Sequence, residues 1–402
     1  MLLHEDATTP MVCVNTLVGV GSRDEDPQKT GFAHLFEHLM FGGTPRVPSY
    51  DTVAENAGGE SNAFTGCDYT DYHLTLPAQN LETALRLESD RLRGLLFDTK
   101  SLEVQKRVVT EEYHQRYMNQ PYGDVWMLLR PLCYKRSPYR WCTIGSDISH
   151  VQQTTAQDVR RFYGQYYVPN NLILCVAGNM RSKETLEMVE QYYGDIPTGE
   201  PVTHHTDKEE KQTEERRMET RRHVPADALF VAFPMPGRLD KDFAACNLLS
   251  DILGNGSSSR IARRLVKERR LMTEVDVYVT GELDGGLFVI EGKMCKGASC
   301  ADAETAIEEE IQALQAHAVE EHELQKVKNK SESIFRLSQY KALDRAMALC
   351  YYEWLGHAEW INEEPKCYGK VTPDDIARVA TNLFCHERKN TLLYLKDGPE
   401  VV

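Results

Sequence analysis

The chain has 402 residues, 41% hydrophobic and 27% charged, with 61 acidic against 46 basic side chains and a formal net charge of −15. That length exceeds what one hydrophobic core usually fills, so two domains are expected, and the composition excludes disordered and collagen-like chains. The negative charge argues against nucleic acid as a partner, and the lack of an apolar run near 20 residues argues against a membrane span.

In chain order, the opening MLLHEDATTP lacks the basic and apolar segments of a signal peptide. It reads as the tail of a strand that was once longer. Residues 14–23 are strand-like and lead through Asp24-Glu25-Asp26 into a helix over 31–40. Further strands are predicted at 72–77, 172–176, 229–233, 274–280 and 287–293, and amphipathic helices at 81–96, 100–118, 243–253 and 303–337. Eleven cysteines are scattered with no C-x-x-C pair. That pattern fits reduced, mostly buried thiols in a cytoplasmic protein and disfavours zinc bound through sulfur.

The chain contains itself twice. Residues 155–176 and 372–396 each read as a capped helix, a turn and an apolar strand, with capping boxes at Thr155/Asp158 and Thr372/Asp375, 217 residues apart. At the near-equal offset of 214, Leu35, Glu37 and Leu39 fall on Leu249, Asp251 and Leu253. The expected fold is therefore α+β: two homologous domains, each an antiparallel-rich mixed sheet covered by helices. The expected division is 1–202, a charged linker over 203–223 with an edge-strand lead-in, and 224–402.

The chemistry concentrates in His34-Leu35-Phe36-Glu37-His38. Histidines four apart project from one face of a helix and can hold one ion, with Glu37 beside them. The flanking Phe32, Leu35, Phe36, Leu39 and Met40 point to burial, where a glutamate between histidines is costly unless something charged pairs with it. A catalytic zinc needs a third protein ligand and an open position. The helix around 105–114 offers Glu111 and Glu112, about 100° apart, of which one can face the ion. With Val108 and Val109 taken as the buried side, Glu112 is the choice and His114 the alternative.

These segments resemble the pitrilysin, or insulinase, family of zinc metallopeptidases. His34-Leu35-Phe36-Glu37-His38 is followed 74 residues later by Glu112 in Arg107-Val108-Val109-Thr110-Glu111-Glu112, and Gly58–Thr65 is similar to the family strand after the zinc helix. The likeness extends over the whole chain and is greatest to bacterial members of about 400 residues related to mitochondrial processing peptidase subunits. It implies a zinc-dependent endopeptidase that hydrolyses unstructured peptides or small proteins inside a closed chamber. His34, His38 and Glu112 would hold Zn2+, and Glu37 would activate the zinc-bound water. Asn62, Ala63 and Phe64 would lie on an edge strand that pairs with substrate backbone. Gln105 stands where many members have a second glutamate and could help only by hydrogen bond.

A second departure concerns Lys267 and Thr273, which replace an Arg/Tyr pair that holds substrate in many relatives. The duplicated helix carries Leu248, Asp251 and Ile252 at the positions of His34, Glu37 and His38. The resemblance thus implies a dimer, either a heterodimer with a zinc-free paralogue supplying the Arg/Tyr pair or a homodimer. The alternative is a non-catalytic or weakly active structural subunit of a processing complex. Trp126, Trp141, Trp354 and Trp360 are read as core, residues 254–259 as an inter-helix turn and the basic run 260–270 as a solvated helix face.

Overall fold

The computed structural model describes residues 1–96, 99–204 and 207–397, so two residues of the expected linker and the last five of the chain lie outside it. The strands are β1 (Leu2–Glu5), β2 (Met11–Val18), β3 (Glu60–Thr65), β4 (Thr70–Pro77), β5 (Leu172–Gly178), β6 (Arg216–Arg222), β7 (Ala228–Met235), β8 (Met272–Val279), β9 (Gly286–Met294) and β10 (Asn390–Lys396). The helices of the first half are α1 (Phe32–Leu39), α2 (Tyr50–Asn56), α3 (Leu81–Arg93), α4 (Thr99–Tyr113), α5 (Val125–Cys133), α6 (Ile148–Gln152), α7 (Ala156–Tyr166) and α8 (Ser182–Tyr193). Those of the second are α9 (Phe243–Leu253), α10 (Cys300–Ala316), α11 (Glu321–Ser338), α12 (Ala342–Leu355), α13 (Glu364–Lys370) and α14 (Pro373–Leu383).

The strands form two five-stranded sheets of one topology, β1-β5-β2-β4-β3 and β6-β10-β7-β9-β8. Each has a single parallel pair, β1 with β5 and β6 with β10, and is otherwise antiparallel. The duplicated α+β architecture expected from the repeats is what the chain adopts. Both capping boxes form: Thr155 and Thr372 each accept from the backbone N–H three residues on, and Asp158 and Asp375 accept in return.

The chain folds into two compact units, neither of them contiguous in sequence. The first comprises 1–114, 141–205 and 336–362, and the second 115–140, 206–335 and 363–402. This differs from the expected contiguous division at 202 and 224. Burial on both faces of a strand explains the difference. Along β2, Val12 and Val14 pack with α3 residues Leu81, Ala84 and Leu85, whereas Cys13 and Leu17 face Ala346 and Cys350 of α12. A strand covered on both sides reads as a near-continuous apolar run, and its second cover comes from far along the chain. In the second unit α5 packs against β6, β7 and β10 in the same manner.

A further expectation changes. The helix predicted over 303–337 is two, α10 and α11, because the chain turns extended at His317 (φ −129°, ψ 125°). Val319 lies five residues from both Leu314 and Leu324, off any helical stripe, and the break lets all three join one core. The run 260–270 presents most of its charged side chains to solvent, with ion pairs along it: Arg260 meets Glu323, Arg264 meets Glu309 and Glu310, and Arg269 meets Glu309. Trp141 is core, its indole N–H donating to Ser22 O at 2.8 Å, whereas Trp360 is 44% exposed. Residues 254–259 do form a turn after α9, where a Cβ on Gly254 would meet Val277 at 2.1 Å. No helix among the described residues is long and apolar enough to cross a membrane, and all eleven cysteines are free thiols.

Candidate metal centre

The centre is built on α1, which packs into the first unit through Phe32, Ala33, Leu35, Phe36 and Leu39. Its N-cap, Gly31, sits at φ +84°, and a Cβ there would meet Ile144 O at 2.6 Å, so glycine is required on both counts. Gly31 has no side chain to satisfy the first amides. Glu25, wholly buried, does so instead: its two carboxyl oxygens accept from Gly31 N at 2.9 Å and Ala33 N at 2.8 Å. Burial pushes this carboxyl up to about 8, against the pull of those backbone donors.

Helical spacing places His34 and His38 on one face, their rings edge to face with centroids 4.9 Å apart. Glu112 Oε2 lies 3.7 Å from His34 Nε2 and 3.3 Å from His38 Nε2. The three side chains are 13%, 23% and 17% exposed, so the cluster is lined but accessible. Among the described residues no other three histidine, cysteine or acidic side chains gather so closely, with ligand atoms all within 4.8 Å of one another. Tetrahedral zinc with bonds of about 2.0–2.2 Å needs ligand atoms about 3.4 Å apart, so two imidazoles and a carboxylate at these separations fit the ion.

On α4, Glu111 is exposed, and His114 lies exposed just beyond the helix with its ring against Tyr113. The stripe that seats α4 is Leu102, Lys106 and Val109; Val108 is 44% exposed, so only Val109 marks the side that Glu112 shares. Gln105 is half-buried two turns before Glu112, about 10 Å along the axis.

Glu37 is held from the neighbouring strand, where Thr65 Oγ1 donates to Glu37 Oε2 at 2.5 Å. The sequence reading gave Thr65 and Glu25 no role; a hydroxyl on a strand and an acid six residues before a glycine have no local signature. Below the pair, Tyr72 and Tyr167 share a hydrogen bond of 2.7 Å. Burial lifts both phenols, and the charge of Glu37 adds to the shift.

β3 is the edge of its sheet. Because strand side chains alternate, Ala63 shares the face of Thr65, while Asn62 and Phe64 point to the other. Asn62 stands opposite His73 and its Oδ1 accepts from Ala63 N at 2.9 Å, and Phe64 packs edge-on to Tyr69. Lys267 Nζ donates to Ser257 O, and Thr273 Oγ1 to Lys293 O at 3.2 Å.

The chain matches the family model described as insulinase (peptidase family M16) over residues 1–127, and the one described as peptidase M16 inactive domain over 153–331. It is 27% identical over 397 residues to a zinc protease of Helicobacter pylori named PqqE, covering 96% of this chain and 88% of that protein. A Streptomyces coelicolor protein named as an uncharacterized zinc protease is 26% identical over 385 residues, covering 91% and 81%. A solved Helicobacter pylori protease superposes with a TM-score of 0.90 at 25% identity, covering 96% of this chain and 94% of that one. The first model falls on the half with the paired histidines and the second mostly on its duplicate. Both describe parts of one family, and the chain belongs to it, the insulinase family of peptidases (peptidase family M16).

Proposed function

We propose that this chain is a zinc-dependent endopeptidase acting on unstructured peptides or small proteins. The observation that carries the reading is the convergence of His34, His38 and Glu112 beside an oriented Glu37. Zinc, when bound, would supply a Lewis acid that polarises the scissile carbonyl and acidifies water. Glu37 takes the proton of the attacking water as its oxygen bonds to the carbonyl carbon, then delivers it to the amide nitrogen as the C–N bond breaks. The outer edge of β3 supplies main-chain donors and acceptors for an extended peptide, which favours substrates without fixed structure. Pairing at Ala63 requires Asn62 Oδ1 to release the Ala63 N–H.

Among the described residues the second unit has no ligand set, and Lys267 and Thr273 are engaged within the chain. Both support a dimeric enzyme whose partner, a zinc-free paralogue, closes the chamber and adds the missing substrate contacts. The test is cleavage of an unstructured peptide by the zinc-loaded chain, alone and with that partner. Chelator-sensitive cleavage abolished by Glu37→Gln supports the reading, and full turnover by the chain alone removes the partner from it. A metal-free chain whose behaviour Glu37→Gln leaves unchanged would instead be the structural subunit.

A further inference from the structure

Glu37 and its counterpart in the second unit are acids in matching helices, but the fold treats them differently. Asp251, with an 11% exposed side chain, lies 3.4 Å from the Lys330 ammonium of α11. Glu37 instead accepts from the Thr65 hydroxyl at the end of β3. An ammonium cancels the charge of a carboxylate. A hydroxyl fixes the orientation of one oxygen and leaves the charge in place. The β8 edge of the second sheet packs apolar Val277 against the end of α9 at Gly254.

Resting on the peptidase reading above, we propose that Thr65 is the positioning residue of the general base, tying the orientation of Glu37 to the strand on which substrate pairs. The bond commits Oε2 and restrains the last torsion of the side chain. Thr65 is two residues from Ala63 on the same face of β3, and the Ala63 partner across the sheet is Tyr72. A substrate backbone that orders this edge therefore orders the Thr65 hydroxyl, and through it the base.

Thr65→Val keeps the branched shape a strand favours and removes only the donor. For an unstructured fluorogenic peptide, kcat should fall about ten- to a hundred-fold with KM and zinc content unchanged, because a base displaced by about 1 Å costs rate rather than binding. Thr65→Ser, which restores the hydroxyl, should recover most of kcat. In the zinc-free protein, Thr65→Val and Glu37→Ala should be non-additive in unfolding free energy, since each removes the same bond. A Thr65→Val kcat equal to wild type, a Thr65→Ser variant as slow as Thr65→Val, or additive stabilities overturns the proposal. If the wild-type chain cleaves no peptide under any loading, the peptidase reading falls, and the zinc-free cycle still decides whether Thr65 holds Glu37.

Discussion

The two units share a topology strand for strand, so their differences isolate what the metal centre requires. At the position of His34 the second unit has Leu248 and at that of His38 it has Ile252, both with no exposed surface and both in the second core. The matching helices thus carry candidate ligands in one copy and core side chains in the other.

The comparison can be broken most directly at the paired acids. Glu37→Gln should lower kcat by about 10²–10⁴-fold while zinc stays bound, and Asp251→Asn should leave kcat unchanged; peptide cleavage with parallel metal analysis checks both. Comparable losses from the two would mean the second unit joins in the chemistry.

The histidine positions sharpen the contrast between binding and packing. Leu248→Ala should destabilise the fold by about 2–5 kcal/mol, as a large-to-small change in a filled core does. His34→Ala should abolish zinc binding with little loss of stability in the metal-free protein, because its side chain is partly exposed beside Glu112. Denaturant titrations of both variants without metal decide it.

The helix starts differ as well. Glu25→Ala leaves the Gly31 and Ala33 amides without their carboxyl acceptor, at a cost of about 1–3 kcal/mol, and hydrogen exchange at those amides should rise. Asp242, at the start of α9, caps no amide and pairs with Arg378, at 2.8 Å. Removing it should have a smaller effect.

The smallest effects test the identity of the copies. Burial works against ionisation of Asp158, but hydrogen bonds from Lys29 and Thr155 hold it at about 2; those from Thr372 and Arg378 hold Asp375 there too. Both folded values lie below the usual 3.8. Their stabilisation is therefore complete above about pH 4 and fades as pH falls toward 2, where the folded carboxylates protonate. Asp158→Ala and Asp375→Ala should each cost about 1 kcal/mol or less at neutral pH. That difference should shrink in melts near pH 2.

Much of this protein was legible in local pattern. Capping boxes announce α7 and α14, histidines four apart announce a ligand face, and alternating apolar runs announce the strands, because each depends on neighbours within a turn or two. The stripe on α4 misled at Val108, since adjacent valines cannot say which one faces inward. The split of α10 from α11 escaped because Val319 packs through tertiary contacts.

Residue pattern alone carries the duplication, three candidate ligands and their replacement in the second copy. That α12 covers the first sheet and α5 the second emerges only on folding. Folding alone brings Glu112 to the histidines, Glu25 to the start of α1 and Thr65 to Glu37. Glu112 and Thr65 lie 74 and 28 residues from His38 and Glu37, separations at which chain entropy leaves no local trace. Glu25 is only six residues from Gly31 but matches no capping pattern. In each case the partner is chosen by which buried polar group or bare sheet face must be satisfied.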